Sequence, residues 1–211
     1  YVQANKINYM RNSVKAIVDA YDGSVRLFRW DDQDPILRTW ERIYPGSVEP
    51  VSAISGDLMS HLRYPEDMFK VQRNLLATYH VIDAAGFYSG GDRWRLAEET
   101  STHGAASSSD SSTHVDASGN PLPAPTALQP PYYLTMQMPG QDSAEFSLTS
   151  VFVPGGGGEG RREAMAGFLA VDSETGNTPG QVREGYGKLR LLALPSSTTV
   201  PGPGQVQNKY D

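Results

Sequence analysis

The sequence predicts an α+β fold, and three observations carry that reading. Two β-type runs flank Asp22-Gly23 near the start, two stretches around residues 34–45 and 65–80 space their apolar residues helically, and strand-length apolar runs dominate after Pro131. Together they predict an N-terminal β-hairpin, two amphipathic helices and a mostly antiparallel sheet from the C-terminal half. At 211 residues the chain suits a single domain. Its 38% hydrophobic content, with 21 Gly and 15 Pro, points to a real core diluted by long loops.

Each element has a local reason. In "VKAIVDAYDGSVRLFRW" the Asp-Gly pair tolerates the positive φ angles of a hairpin turn. Val25 and Leu27 face one way, and Ser24, Arg26, Phe28 and Trp30 the other, so both faces are expected to be partly covered. In "DDQDPILRTWERIYPG", Asp34 is a natural N-cap, Pro35 suits the first helical position and Pro45-Gly46 ends the helix. Ile36, Leu37, Trp40, Ile43 and Tyr44 share one face, with Arg38 and Arg42 on the other. "HLRYPEDMFKVQRNLLATYH" starts its helix similarly, with Pro65 in the first turn and Glu66 and Asp67 at the positive end of the dipole. Glu66 and Lys70 are spaced for an i,i+4 pair.

Residues 100–131, rich in Ser, Ala and Pro, have almost nothing to bury and are expected to be a disordered loop. Residues 155–162 and 173–186 are expected to be flexible loop insertions. "PYYLTMQM" and "AEFSLTSVFV" read as strands joined by the turn "PGQDS". "EAMAGFLAVD" fits either period; a strand pairing with "KLRLLALP" is favoured. The proline-rich tail "VPGPGQVQN" should be extended.

Composition excludes several functions. A net charge of −6 without any basic cluster gives no basis for nucleic-acid binding. The absence of cysteine removes disulfides, thiolate catalysis and Cys-based zinc sites. No apolar run approaches the roughly 18 residues of a membrane span. With neither an apolar leader nor an initiating Met, the chain is expected to be an internal slice of something longer.

"NYMRNSVKAIVDAYDGSV", "HLRYPEDMFKVQRNLLATYH", "PYYLTMQMPGQDSAEFSLTSVFVP" and "VPGPGQVQN" together resemble the large soluble region of a bacterial family of multi-pass membrane proteins, uncharacterised protein family number 182. The resemblance covers roughly residues 5–95 and 130–211. It implies several membrane helices ahead of a large domain outside the cytoplasm, of which this chain is a slice. It implies no catalytic motif, and the three loops stand out as insertions.

Motifs that suggest chemistry have simpler explanations. "GGGGEGRREAM" lacks the Lys-Ser/Thr of a phosphate-binding loop. Counted as a calcium loop from Asp31, "WDDQDP" puts Ile36 and Arg42 where Gly and Glu are required, so helix capping by Asp34 accounts for it better. His61 and His80 bracket a helix too long for them to share a metal, and no nucleophile elbow exists. No cofactor is called for.

The polar residue that needs explaining is Gln72, which sits among Met68, Phe69, Val71, Leu75, Leu76 and Tyr79. It either satisfies irregular backbone or, with Arg63, Tyr79 and His80, lines a polar ligand pocket; the first is preferred. The leading functional expectation is a non-enzymatic extracytoplasmic module with a binding or assembly role in the cell envelope. Its partners would be membrane helices of the same polypeptide and an envelope ligand or protein. The alternatives are an envelope hydrolase completed outside this chain and an accessory domain of a transporter. Were strands of its sheet to lie beyond Asp211, an open edge would be expected to pair with a second copy.

Overall fold

The computed structural model describes residues 9–99, 128–155 and 164–194. Most of the Ser/Ala/Pro-rich loop, nearly all of the glycine-rich insertion and the proline-rich tail lie outside the described residues. The rest is α+β, in the order β1 (Val14–Val18), β2 (Val25–Arg29), α1 (Pro35–Ile43), β3 (Glu49–Pro50), a 3-10 turn (Val51–Ala53), α2 (Gly56–His61), α3 (Glu66–Tyr79), α4 (Ala84–Ser89), β4 (Trp94–Leu96), β5 (Tyr132–Met136), β6 (Glu145–Pro154), β7 (Gly167–Asp172) and β8 (Leu189–Ala193).

Two sheets form. In the first, β1 pairs antiparallel with β2, and β2 pairs parallel with the short β3. The expected hairpin is present and Gly23 holds the positive φ of +73°. Its turn is longer than a two-residue one, because Val18 pairs with Val25 and Gly23 N–H bonds back to Asp19 O at 2.9 Å. The second sheet runs β4-β6-β7-β8, with β5 also on β6. The bonds from Ala166 N to Phe152 O and from Ser173 N to Phe146 O place β7 antiparallel to β6. Its outer strand β4 comes from before the long loop, a contribution that "RWRL" is too short to announce.

The chain divides into two compact units. The first contains described residues 9–72, 133–148 and 171–189, and its core is built on Phe28, Ile54 and Met59 with Ile17, Trp30, Val51, Leu58 and Leu62 packed around them. The hairpin turns Lys15, Ile17 and Phe28 toward cover and leaves Val14, Val18 and Val25 exposed. Residues 173–186 belong to this unit and are irregular but anchored. Thr175 donates its hydroxyl to Met59 O, and Arg183 bridges both oxygens of Asp172 and one of Glu145 at 2.6 Å. A Cβ at Gly56 would collide with the carbonyl oxygen of Asn177, so only glycine permits that approach.

The second unit contains described residues 73–99, 128–132, 149–155, 164–170 and 190–194. Leu96, Phe152, Val153, Leu169 and Ala170 are among its buried strand residues. Gly167 lies under the Trp94 ring, where a Cβ would come within 2.6 Å.

Helix α1 keeps its predicted apolar face but leaves most of it uncovered, whereas α3 buries a different face from the predicted one. In α1 the Asp34 cap accepts from Ile36 N at 2.9 Å, as predicted, yet of the apolar face only Leu37 is buried. Along α3 the fully or nearly buried positions are Phe69, Arg73 and Ala77, while Leu75 and Tyr79 are exposed. The buried face is therefore rotated from the expected one, because an arginine occupies its centre. The Glu66–Lys70 pair forms at 2.6 Å. α4 is an unpredicted short helix, capped by Asp83 at one end and by left-handed Gly90 at the other.

Candidate functional site

A group of polar and aromatic side chains in the first unit surrounds Lys15. Strand alternation puts Lys15 on the covered face of β1 with Ile17, so its amine sits among rings rather than in water. Nζ donates to Arg63 O at 3.2 Å and lies 3.5 Å from the Tyr186 hydroxyl. It also stands 5.0 Å above the Trp30 ring, a cation–π distance. Tyr186 packs edge-on against Trp30 at 5.6 Å and tilted against Tyr64 at 6.0 Å. Its hydroxyl donates to Arg63 O at 3.3 Å and receives a bond from Asn12 Nδ2 at 3.4 Å.

Burial sets the titration here. Desolvation lowers the Lys15 amine to about 8. The same cause pushes the Tyr186 phenol well above its ordinary value, and raises Tyr64 despite the opposing bond to Gln72. About a tenth of Lys15 is then neutral at pH 7, and the phenols keep their protons.

Arg63 and Gln72 belong to this unit and join the same network. Arg63 donates through Nη1 to the carbonyls of Ser60 at 2.6 Å and Leu62 at 2.8 Å, and its guanidinium covers the Phe146 ring at 5.3 Å. Gln72 Oε1 accepts the Tyr64 hydroxyl at 3.0 Å, which explains an amide on this helix: it satisfies a phenol that is only 7% exposed. Tyr64 N–H in turn bonds to Ser173 Oγ at 2.9 Å. Next to Asn12 an open cleft of about 200 Å³ is lined by Met10, Arg11, Val14, Pro65 and Met68 among others. The Arg11 guanidinium at its rim is held by Asp31 at 2.5 Å.

Tyr79 and His80 belong to the second unit. Tyr79 is exposed and stacks on Phe87 at 5.7 Å. His80 stacks on Trp94 at 3.5 Å, and its Nδ1–H donates to Leu76 O at 2.8 Å, which fixes the tautomer. The four residues singled out by sequence thus divide two and two between the units. Sequence reading missed Lys15, Tyr186 and the buried Arg73, whose Nη1 donates to Gln129 O at 3.0 Å. The alternation of β1, which places Lys15 beside Ile17 on the Phe28 face, is the one signal that pointed to the first of these.

Among the described residues no group of three or more His, Asp or Glu side chains is arranged to hold a metal. None of the described helices is long and apolar enough to cross a membrane. Asp31, Asp32 and Asp34 divide their work: Asp34 caps α1 and takes the hydroxyls of Tyr9 and Ser13, whose bonds hold its carboxyl below the usual range.

Fold and site define an α+β module whose polar clusters brace its own loops. The chain belongs to the uncharacterised protein family UPF0182, whose model matches residues 2–211. A UPF0182 protein of Leifsonia xyli subsp. xyli is 52% identical over 205 residues, covering 97% of this chain and 19% of that protein. One from Clavibacter sepedonicus is 49% identical, covering 100% of the chain and 20% of the relative; one from Tropheryma whipplei is 48% identical, covering 99% and 21%. The chain therefore spans about a fifth of the length of the curated relatives it matches. No solved structure matches it.

Proposed function

We propose that this chain is a non-enzymatic module of a larger envelope protein, standing outside the cytoplasm beside membrane helices of the same polypeptide and serving binding or assembly. One observation carries the reading: the side chains best placed for chemistry direct their hydrogen bonds to main-chain carbonyls and to each other. Lys15 and Tyr186 both donate to Arg63 O, Arg63 donates to Ser60 O and Leu62 O, and Gln72 accepts from Tyr64. Such bonding braces loops. The share of the relatives' length that the chain covers also supports a part within a larger assembly.

A panel of esterase, phosphatase and peptidase substrates offered to the full-length protein tests this. Uniform inactivity, together with unchanged background rates in Lys15→Met, is the expected result. The second reading is an envelope hydrolase, and Lys15 is what favours it, since a desolvated amine near pH 8 is suited to proton abstraction. Turnover that disappears in Lys15→Met would establish that reading instead.

A further inference from the structure

Helix α1 has a strongly one-sided distribution of apolar residues, and that side is turned away from its own core. Ile36, Trp40, Ile43 and Tyr44 fall within a sector of about 100° around the axis. They are 52%, 53%, 58% and 56% exposed. The helix is held instead at the edge of that sector, through buried Leu37 and through Glu41, which accepts Arg29 Nε at 2.8 Å. Trp40 and Tyr44, one turn apart, stack at 5.7 Å with planes only 12° apart, so the stripe ends in a flat aromatic plate. The polar residues Arg38 and Arg42 lie on the other side. A stripe of this kind leaves a large apolar area in water unless something covers it.

We propose that this face of α1 is a docking surface, and that its occupant is an apolar segment of the same polypeptide lying outside these 211 residues. The inference rests on the assembly reading above and names its partner. Two facts select the occupant. Relatives that match the chain along nearly its whole length are about five times longer, so most of such a polypeptide is available to cover it. The patch is also too small for a second copy. Four half-exposed side chains of this size present roughly 400 Å², whereas a stable dimer buries about 800 Å² from each partner. A tethered segment needs no such area, because the linkage supplies an effective concentration in the millimolar range.

The test places a photo-crosslinking residue at position 43 of the full-length protein, as Ile43→p-benzoylphenylalanine, irradiates intact cells and maps the adducts by mass spectrometry. The same substitution at Arg38, on the polar side, is the control. The expected result is an adduct between position 43 and a peptide of the same chain outside these 211 residues, with monomer mobility retained and no such adduct from position 38. A crosslinked dimer, adducts confined to lipid, no adduct, or the same adduct from both positions overturns the proposal. Any of these with an inactive substrate panel defeats this inference alone, whereas turnover in the panel defeats the assembly reading itself.

Discussion

Helices α1 and α3 are both amphipathic in sequence and use that property in opposite ways. α3 buries Phe69 completely and Arg73 and Ala77 nearly so, while α1 buries Leu37 and leaves four large apolar side chains more than half exposed. An apolar stripe therefore states that a face needs cover without stating what supplies it. In α3 the cover is local. In α1 the proposed cover lies elsewhere in the polypeptide, and substitutions on the two helices separate the cases.

The largest effect belongs to the covered helix. Phe69→Ala should cost about 3–5 kcal/mol, read as a lower midpoint in urea. Next comes the anchor of residues 173–186: Arg183→Leu leaves Asp172, whose side chain is 2% exposed, beside Glu145 without its cation. That loss should be about 3 kcal/mol, measured the same way.

Lys15→Met acts in the other direction. The folded amine titrates near 8, below its ordinary value of 10.5, so between those values the unfolded chain binds more protons and stability rises with pH. Below pH 8 the full penalty is present. The substitution should therefore stabilise the protein by about 2 kcal/mol at pH 7 and flatten the rise between pH 8 and 10. Above pH 10 Tyr64 and Tyr186 hold their protons more tightly folded than unfolded, so stability falls again in both proteins. Thermal melts from pH 6 to 11 show both limbs.

A smaller loss, about 1 kcal/mol, follows from Gln72→Leu, which leaves the Tyr64 hydroxyl without its acceptor. The smallest change in this chain is expected at the open face: Ile43→Thr should fall within about 0.5 kcal/mol of the parent. A loss there as large as that of Phe69→Ala would erase the contrast between the helices.

Much of the fold was legible because it rests on short-range signals. Asp34-Pro35 marked the start of α1, Asp22-Gly23 marked the hairpin, and strand-length apolar runs bounded by turn residues marked β5 to β8, although the run of β7 fitted either period. The orientation of α3 was not legible, since its buried centre is Arg73 and arginine reads as solvent-facing until Gln129 and Ser150 are seen around it. α4 is a single short helix, too brief for periodicity, although Asp83 and Gly90 bracket it. Of the site, Gln72 was marked by its position among apolar neighbours, and Arg63 only as a companion in the pocket reading. Tyr186 and Ser173, which complete their network, lie more than 100 residues away, and no local pattern joins such partners.

Hydrogen exchange at the α1 amides, compared between the full-length protein and the 211-residue chain, reads whether this face is covered. A face covered within the longer polypeptide predicts exchange across Pro35–Ile43 that is at least tenfold slower in the full-length protein, with α3 unchanged. Equal exchange of α1 in both would contradict it.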